Sequence, residues 1–110
     1  MAKYTKMVQG NFDDILTTLH NAVMNGSTSA SYEDGSDYCD GEFRCAVRVY
    51  ERYSFIGGNR VSMSLTLAGS NGRYFLTAIT AGGSQATFFK INTVGEEAFL
   101  DTISHVLDRL

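Results

Sequence analysis

The strongest constraint on this fold is an alternation of apolar and polar residues between residues 43 and 91. The alternation is interrupted by short glycine-containing turns, of which Asn71-Gly72 and Gly82-Gly83 are typical two-residue hairpin turns. A period of two residues indicates strands that bury one face and expose the other. We therefore expect an antiparallel meander of four strands over residues 43–91.

Helical periodicity occurs on both sides of this segment. Residues 11–24 place apolar side chains three and four positions apart, and Asn11 is a favourable N-cap residue. Residues 94–110 repeat the pattern behind a capping-box sequence that begins at Thr93. Each segment therefore predicts an amphipathic helix.

The order of these elements predicts the fold class. Residues 2–9 have the pattern of a first strand, and the polar residues 27–33 that of an edge strand. The resulting order, β-α-β4/5-α, keeps both helices outside the meander. It favours an α+β fold in which two helices pack on one face of a curved antiparallel sheet. TATA-binding-protein-like and helix-grip folds have a similar order, a likeness that carries no function.

Length and composition exclude several classes of protein. The 110 residues predict one domain, residues 1–110, and a hydrophobic fraction of 44% is too high for a disordered chain. The sequence has no apolar run of the roughly 18 residues that a membrane span needs, and no signal-peptide core at its start. Two cysteines are too few for a secreted disulfide scaffold. We therefore expect a small soluble cytoplasmic protein.

The turns also predict which side chains share a face of the sheet. Two-residue loops at Asn71-Gly72 and Gly82-Gly83, with a three-residue loop at 56–58, align the four strands. The face beneath the helices is then apolar at one end and polar at the other. Its predicted rows are Val47, Leu67, Leu76 and Phe89; Val49, Leu65, Ala78 and Thr87; and Glu51, Met63, Thr80 and Gln85.

The polar end of this face has two interpretations. The polar side chains either form a solvated rim, which we favour, or line a pocket for a small molecule between the sheet and the helices. The residues that would orient such a ligand are Glu51, Tyr53, Thr80, Gln85 and Thr87.

The opposite face collects cations beside aromatic and aliphatic residues in the same register. Residues 43–92 hold six cations and one acid, whereas the chain as a whole has a net charge of −3. Two helices would cover only one face, so the apolar residues here would form an exposed patch of the kind found at interfaces. We therefore predict a homodimer or another protein partner. The predicted contact residues are Tyr50, Phe75, Ile79, Phe88, Arg44, Arg48 and Arg52.

Two other functions remain open for the predicted sheet. Small-molecule binding at the polar end of the helix-covered face is the alternative. A platform for single-stranded nucleic acid is ranked lower, although basic and aromatic residues lie side by side on the opposite face. The acidic net charge and the lack of a ribonucleoprotein-type motif argue against nucleic acid.

Patterns that would indicate catalysis or metal binding are weak. Cys39 and Cys45 lack the spacing of redox or zinc motifs, and His20 and His105 have the positions of surface residues. The acidic stretch 33–42 does not match an EF-hand and predicts a solvated loop. No nucleophile-elbow, zincin or Walker motif occurs. We therefore expect a binding module rather than an enzyme, without catalytic residues, cofactor or metal.

The chain resembles a known family in the runs CAVRVYERYSFIGGNRVSMSLTL, TAGGSQATFFKINT and GEEAFLDTI. The family consists of short bacterial proteins, largely from Firmicutes, that are known only as a domain of unknown function. The resemblance extends over nearly the whole chain. It implies a bacterial, cytoplasmic, stand-alone protein, and it provides no activity, cofactor or catalytic residue.

Overall fold

The computed structural model describes residues 2–26, 29–53, 60–82, 99–100, 103–104, 106 and 108. The fold is α+β, as predicted, and its sheet is open and antiparallel with the strand order β1-β5-β4-β3-β2. In the described part of the chain, no helix has the length and apolar character of a membrane span. The elements are β1 (Ala2–Gln9), α1 (Phe12–Gly26), β2 (Ser31–Asp40), β3 (Phe43–Tyr53), β4 (Arg60–Ser70) and β5 (Arg73–Gly82).

Helix α1 lies on one face of the sheet and begins at a side-chain cap. The Asn11 side-chain oxygen accepts a hydrogen bond from the backbone N–H of Asp14 at 3.0 Å, which satisfies a donor of the first turn. The buried residues of α1 recur at helical spacing and are Phe12, Ile15, Leu19 and Val23. We call the face of the sheet that α1 covers the α1 face, and the opposite face the outer face.

The hairpin of β4 and β5 has the predicted register. Asn71 and Gly72 have φ angles of 57° and 78°, and a type I′ turn requires positive φ at both positions. Leu67 consequently lies opposite Leu76, and both side chains are buried beneath α1.

The register predicted for β3 is wrong by one residue. Val49 lies opposite Ser64 rather than Leu65, and Tyr50 lies opposite Met63. Because side chains alternate between the two faces, this shift turns the whole strand over. The side chains on the outer face are therefore Cys45, Val47, Val49 and Glu51. Those on the α1 face are Arg44, Ala46, Arg48, Tyr50 and Arg52.

The strand order of the predicted meander is also wrong at β5. β1 pairs along one edge of β5, with Lys6 opposite Leu76, while β4 pairs along the other edge. Both edges of β5 are thus occupied, so the predicted pairing of Leu76 with Phe89 is wrong. Residues 85–91, the fourth strand of that meander, lie outside the described residues.

The acidic stretch that predicts a loop is in fact strand β2. β2 begins at Ser31, near the end of the predicted edge strand 27–33, and its pairing with β3 continues to Asp40. A register shift occurs between Tyr32 and Asp34. β2 is an edge strand, and its charged side chains can stay in water while the backbone pairs on one side.

The described residues establish one complete helix rather than the predicted two. Phe99 and Ile103 have helical backbone and are fully buried in the core that α1 covers. Most of the second predicted span, residues 94–110, lies outside the described residues. The side chains at these two positions nevertheless complete the described hydrophobic core on the α1 face.

Candidate functional site

Three arginines of β3, spaced four positions apart in the sequence, form a column on the α1 face. We call Arg44, Arg48 and Arg52 the arginine column. The predicted register has them on the outer face, and the observed pairing shows that this is wrong. Ala46 and Tyr50, which alternate with them, are fully buried. These two side chains fill the core, while the long arginine side chains extend past them.

Arg44 of β3 binds the first turn of α1. Its two Nη atoms donate to the Asp13 carboxylate at 3.0 and 3.1 Å, and its guanidinium lies 4.2 Å from the centre of the Phe12 ring. The hydrogen bond from Arg44 lowers the pKa of the Asp13 carboxyl group below its usual value. Because this pair joins the helix to β3, it has a structural role.

Arg48 crosses the sheet toward β2. Its Nη2 donates to the Asp37 carboxylate at 2.9 Å, and its Nη1 donates to the carbonyl oxygens of Val47 at 2.9 Å and Ser36 at 3.3 Å. Gly35 lies directly opposite, and a Cβ atom there would come within 2.9 Å of both Arg48 Cδ and the Val47 carbonyl oxygen. The absence of a side chain at Gly35 therefore provides the space that this arginine needs.

An aromatic cluster joins α1 to β2 and β3, and it consists of His20, Tyr32 and Tyr50. Nδ1 of His20 is 2.8 Å from the Tyr50 hydroxyl, and the imidazole meets the Tyr32 ring edge-on at 5.9 Å. His20 is half-buried, which corrects its predicted surface position. Burial raises the pKa of Tyr50 to about 12. An open cleft of about 260 Å³ adjoins the cluster, lined by Leu16, Thr17, His20, Tyr32 and Arg48.

One row of the outer face is apolar across all five strands. Successive cross-strand partners define this apolar row as Met7, Phe75, Ala68, Cys45 and Tyr38. Its largest side chains are exposed, Met7 by 59%, Phe75 by 44% and Tyr38 by 61%. The exposed Phe43 ring extends the row beside Tyr38, with the ring centres 6.4 Å apart.

Charged residues of the outer face lie toward its edges and ends. Lys3 on β1 and Asp34 on β2 are at opposite ends of one row, which runs across the sheet through Ile79. Arg60, the first residue of β4, forms an ion pair with Glu51 at 2.8 Å. The central strand β4 otherwise presents small side chains to this face. They are Ser62, Ser64, Thr66, Ala68 and Ser70.

The residues of the predicted ligand pocket do not share one face. Glu51 and Tyr53 lie on the outer face because the β3 register differs from the predicted one. Thr80 lies on the α1 face and is fully buried. Gln85 and Thr87 lie outside the described residues. The described members therefore cannot line one pocket between the sheet and α1.

The residues of the predicted interface are divided between the two faces. Phe75 and Ile79 are exposed on the outer face, by 44% and 36%. Tyr50 and the arginine column lie on the α1 face instead. Phe88 lies outside the described residues. The predicted patch of arginines among aromatic residues is therefore wrong, and the apolar component is what occupies the outer face.

The predicted β3 register has Cys45 on the other face, and the sequence does not predict Met7 and Tyr38, two further members of the apolar row. Both belong to edge strands whose pairing partners follow from the tertiary structure, since β1 pairs with β5 across a long separation in the sequence. A local signal exists for Met7, because it follows the polar residues Lys3 and Thr5 at every second position, and alternate residues of a strand share a face. Tyr38 has no such signal, since it lies within an acidic stretch that predicts a loop.

The acidic residues of β2 do not share one face of the sheet, and neither do the two cysteines. β2 directs Asp37 to the α1 face and Asp34 to the outer face. Cys39 and Cys45 also lie on opposite faces, and both are free thiols. Among the residues that the structure describes, no three histidine, cysteine, aspartate or glutamate side chains are grouped so that they could hold a metal ion.

Comparison with known proteins gives a family and no activity. No curated protein matches the sequence significantly. The sequence model of a family of unknown function, DUF6054, matches residues 1–110, and this confirms the resemblance to a family known only as a domain of unknown function. The chain therefore belongs to the family of unknown function DUF6054.

Proposed function

We propose that this protein is a non-enzymatic interaction module that self-associates, with two copies packed through the outer faces of their sheets. The supporting observation is the apolar row, whose Met7, Phe75 and Tyr38 side chains are exposed. Monomeric proteins rarely expose a contiguous apolar surface of this kind, whereas interfaces have an apolar centre and a polar rim. The outer face has that distribution, because its charges lie toward its edges and ends.

The charges at the two edges favour a second copy as the partner. A twofold axis that lies between the two stacked sheets and is parallel to the strands would place β1 of one subunit over β2 of the other. It would also place each cross-strand row over the same row of the partner subunit. The apolar rows would then meet, with Ala68 close to the axis. Lys3 would approach Asp34 of the partner subunit, because these residues end the same row on opposite edges.

The small side chains of β4 are compatible with this arrangement. Sheets that pack face to face are about 10 Å apart, with interdigitating side chains. The serine, threonine and alanine side chains of β4 permit close approach at the centre. The larger Phe75 and Tyr38 side chains would fill the space on either side of it.

Substitution of Phe75 tests the proposal. We expect sedimentation analysis to show a dimer for the wild type and a monomer for Phe75→Glu, because a buried unpaired carboxylate opposes association. Thr18→Glu adds the same charge at an exposed position of α1 and should remain dimeric. Circular dichroism verifies the fold of each variant. A monomeric wild type at high concentration, or a dimeric Phe75→Glu, would contradict the proposal.

The nucleic-acid interpretation does not receive comparable support. It depended on arginines beside aromatic residues on one exposed face, and the arginine column lies on the other face. Arg44 and Arg48 are also paired with carboxylates, which reduces their availability to phosphates. We therefore do not propose it.

A further inference from the structure

Arg52 differs from the other two members of the arginine column. Arg44 and Arg48 each pair with a carboxylate. The Nε atom of Arg52 is buried and has no hydrogen-bond partner. Within the described part of the chain, the contact assigned to its guanidinium is with the ring of Phe99, whose centre is 5.1 Å away.

The Nε atom of Arg52 has lost its hydration without gaining a hydrogen bond. Arg52 is partly buried, and desolvation lowers its pKa from the usual value. The guanidinium nevertheless stays charged at neutral pH, because its reference pKa is far above 7. Removing water from a charge without supplying a partner is unfavourable, and it also strengthens the attraction of an incoming anion.

Arg52 lies at one end of the sheet and remains partly exposed. It lies near the end of β3 opposite Val61, one row beyond the buried pair of Tyr50 and Met63. The fully buried Phe99 ring packs against the guanidinium at this point. A guanidinium beside an aromatic ring can still donate from Nε and Nη to two oxygens of one oxyanion.

We infer that Arg52 anchors a binding site for a small ligand with an oxyanion group, carboxylate or phosphate, beside Phe99. The ligand would supply the hydrogen-bond acceptor that Nε of Arg52 lacks. It would also supply the negative charge that aspartates provide for Arg44 and Arg48. This site lies on the opposite face of the sheet from the proposed dimer interface. It is also distinct from the predicted pocket, since Glu51 and Tyr53 lie on the outer face.

Thermal unfolding in different anions tests the inference, with inorganic phosphate, acetate and chloride compared at equal ionic strength. We expect phosphate or acetate to raise the Tm of the wild type above its value in chloride in a saturable manner, because a ligand stabilises the state that binds it. Whichever anion is effective identifies the oxyanion class. Arg52→Met should lose the shift, and Arg52→Lys should retain part of it, since Lys keeps the charge but lacks the planar donors.

Arg73→Met is the matched control, because Arg73 is an exposed cation at the start of β5 on the outer face. It should keep the wild-type shift. The inference is overturned if neither anion stabilises the wild type or if Arg52→Met shows the same shift as Arg73→Met. Without oxyanion, Arg52→Met should be at least as stable as the wild type, because the unpaired charge has been removed.

An internal carboxylate can be distinguished from an external ligand. Glu96 and Glu97 precede Phe99 in the sequence and lie outside the described residues. A double variant, Glu96→Gln/Glu97→Gln, should show the same anion-dependent shift as the wild type. If the shift appears only in this double variant, a carboxylate of the chain itself neutralises Arg52, and the inference is wrong.

Discussion

Tyr50 brings a polar group into the core of the sheet. Its side chain is fully buried, and its hydroxyl lies 2.8 Å from His20 Nδ1 on α1. A buried hydroxyl without a partner is destabilising, so this hydrogen bond is what makes the residue acceptable at the position. The same burial raises the pKa of Tyr50 to about 12, which keeps the hydroxyl protonated at neutral pH.

Replacing Tyr50 with Phe should lower the free energy of unfolding by about 1 kcal/mol, because His20 loses its partner. Tyr53→Phe is the control, since the Tyr53 side chain is exposed on the outer face. The pKa of Tyr50 is raised on folding from 10.0, so its contribution to stability is lost as the pH rises from 10 through about 12. Urea titrations should show a weaker alkaline loss for Tyr50→Phe than for the wild type. Equal stability and equal pH dependence would contradict this account.

Helix α1 is positioned by contacts in its first turn. Asn11 caps the backbone, and Asp13 binds Arg44 of β3 through two hydrogen bonds. Phe12 packs edge-on against Tyr74, with ring centres 5.1 Å apart. The cap makes the helix begin here, while the ion pair and the ring contact set its place on the sheet.

Asn11→Ala should reduce the free energy of unfolding by about 1 kcal/mol, because the N–H of Asp14 loses its acceptor. Asn11→Ser should retain most of the stability, since serine is also a good N-cap. Asn21→Ala, an exposed substitution within α1, should have little or a stabilising effect. Chemical denaturation measures all three. A loss for Asn21→Ala as large as that for Asn11→Ala would show that the cap is not the cause.

At the scale of the whole molecule, the two faces of the sheet differ in composition. The α1 face contains the core together with the arginine column, whose charges are matched at Arg44 and Arg48. The outer face combines the apolar row with a basic residue at one edge and an acidic residue at the other. In the proposed dimer, this asymmetry would bring unlike charges of the two subunits together under a twofold rotation.

The twofold arrangement predicts the result of exchanging Lys3 and Asp34. Lys3→Asp and Asp34→Lys should each weaken the dimer by about tenfold at low salt, because each creates two like-charge contacts. The double variant restores opposite charges and should return the Kd to within about threefold of the wild type. High salt should reduce all of these differences. Sedimentation at several salt concentrations measures them, and a double variant weaker than both single variants would reject the arrangement.

The parts of the fold that were predictable from sequence depend on local signals. The Asn71-Gly72 turn determines the β4–β5 register through backbone φ angles alone. The spacing of apolar residues and the Asn11 cap predict α1 to within two residues of its observed ends. Phe75 and Ile79 were placed on the correct face for the same reason, because the face they occupy follows from that turn.

The β3 register and the sheet order instead required the tertiary structure. Both faces of β3 have side chains that could be buried, the valines on one and Ala46 and Tyr50 on the other. Asp13 of α1 and Asp37 of β2 bind Arg44 and Arg48, and these distant partners allow the arginines to lie on the α1 face.

The sequence by itself therefore determined the α+β class, helix α1 and the β4–β5 hairpin, because each depends on neighbouring residues. Only the tertiary structure decided that β1 pairs with β5, that the arginine column faces α1 and that Met7 joins Phe75 in one apolar row. These outcomes depend on contacts between residues far apart in the chain. Their free energy is shared among several elements, so no single segment of sequence contains the information that selects them.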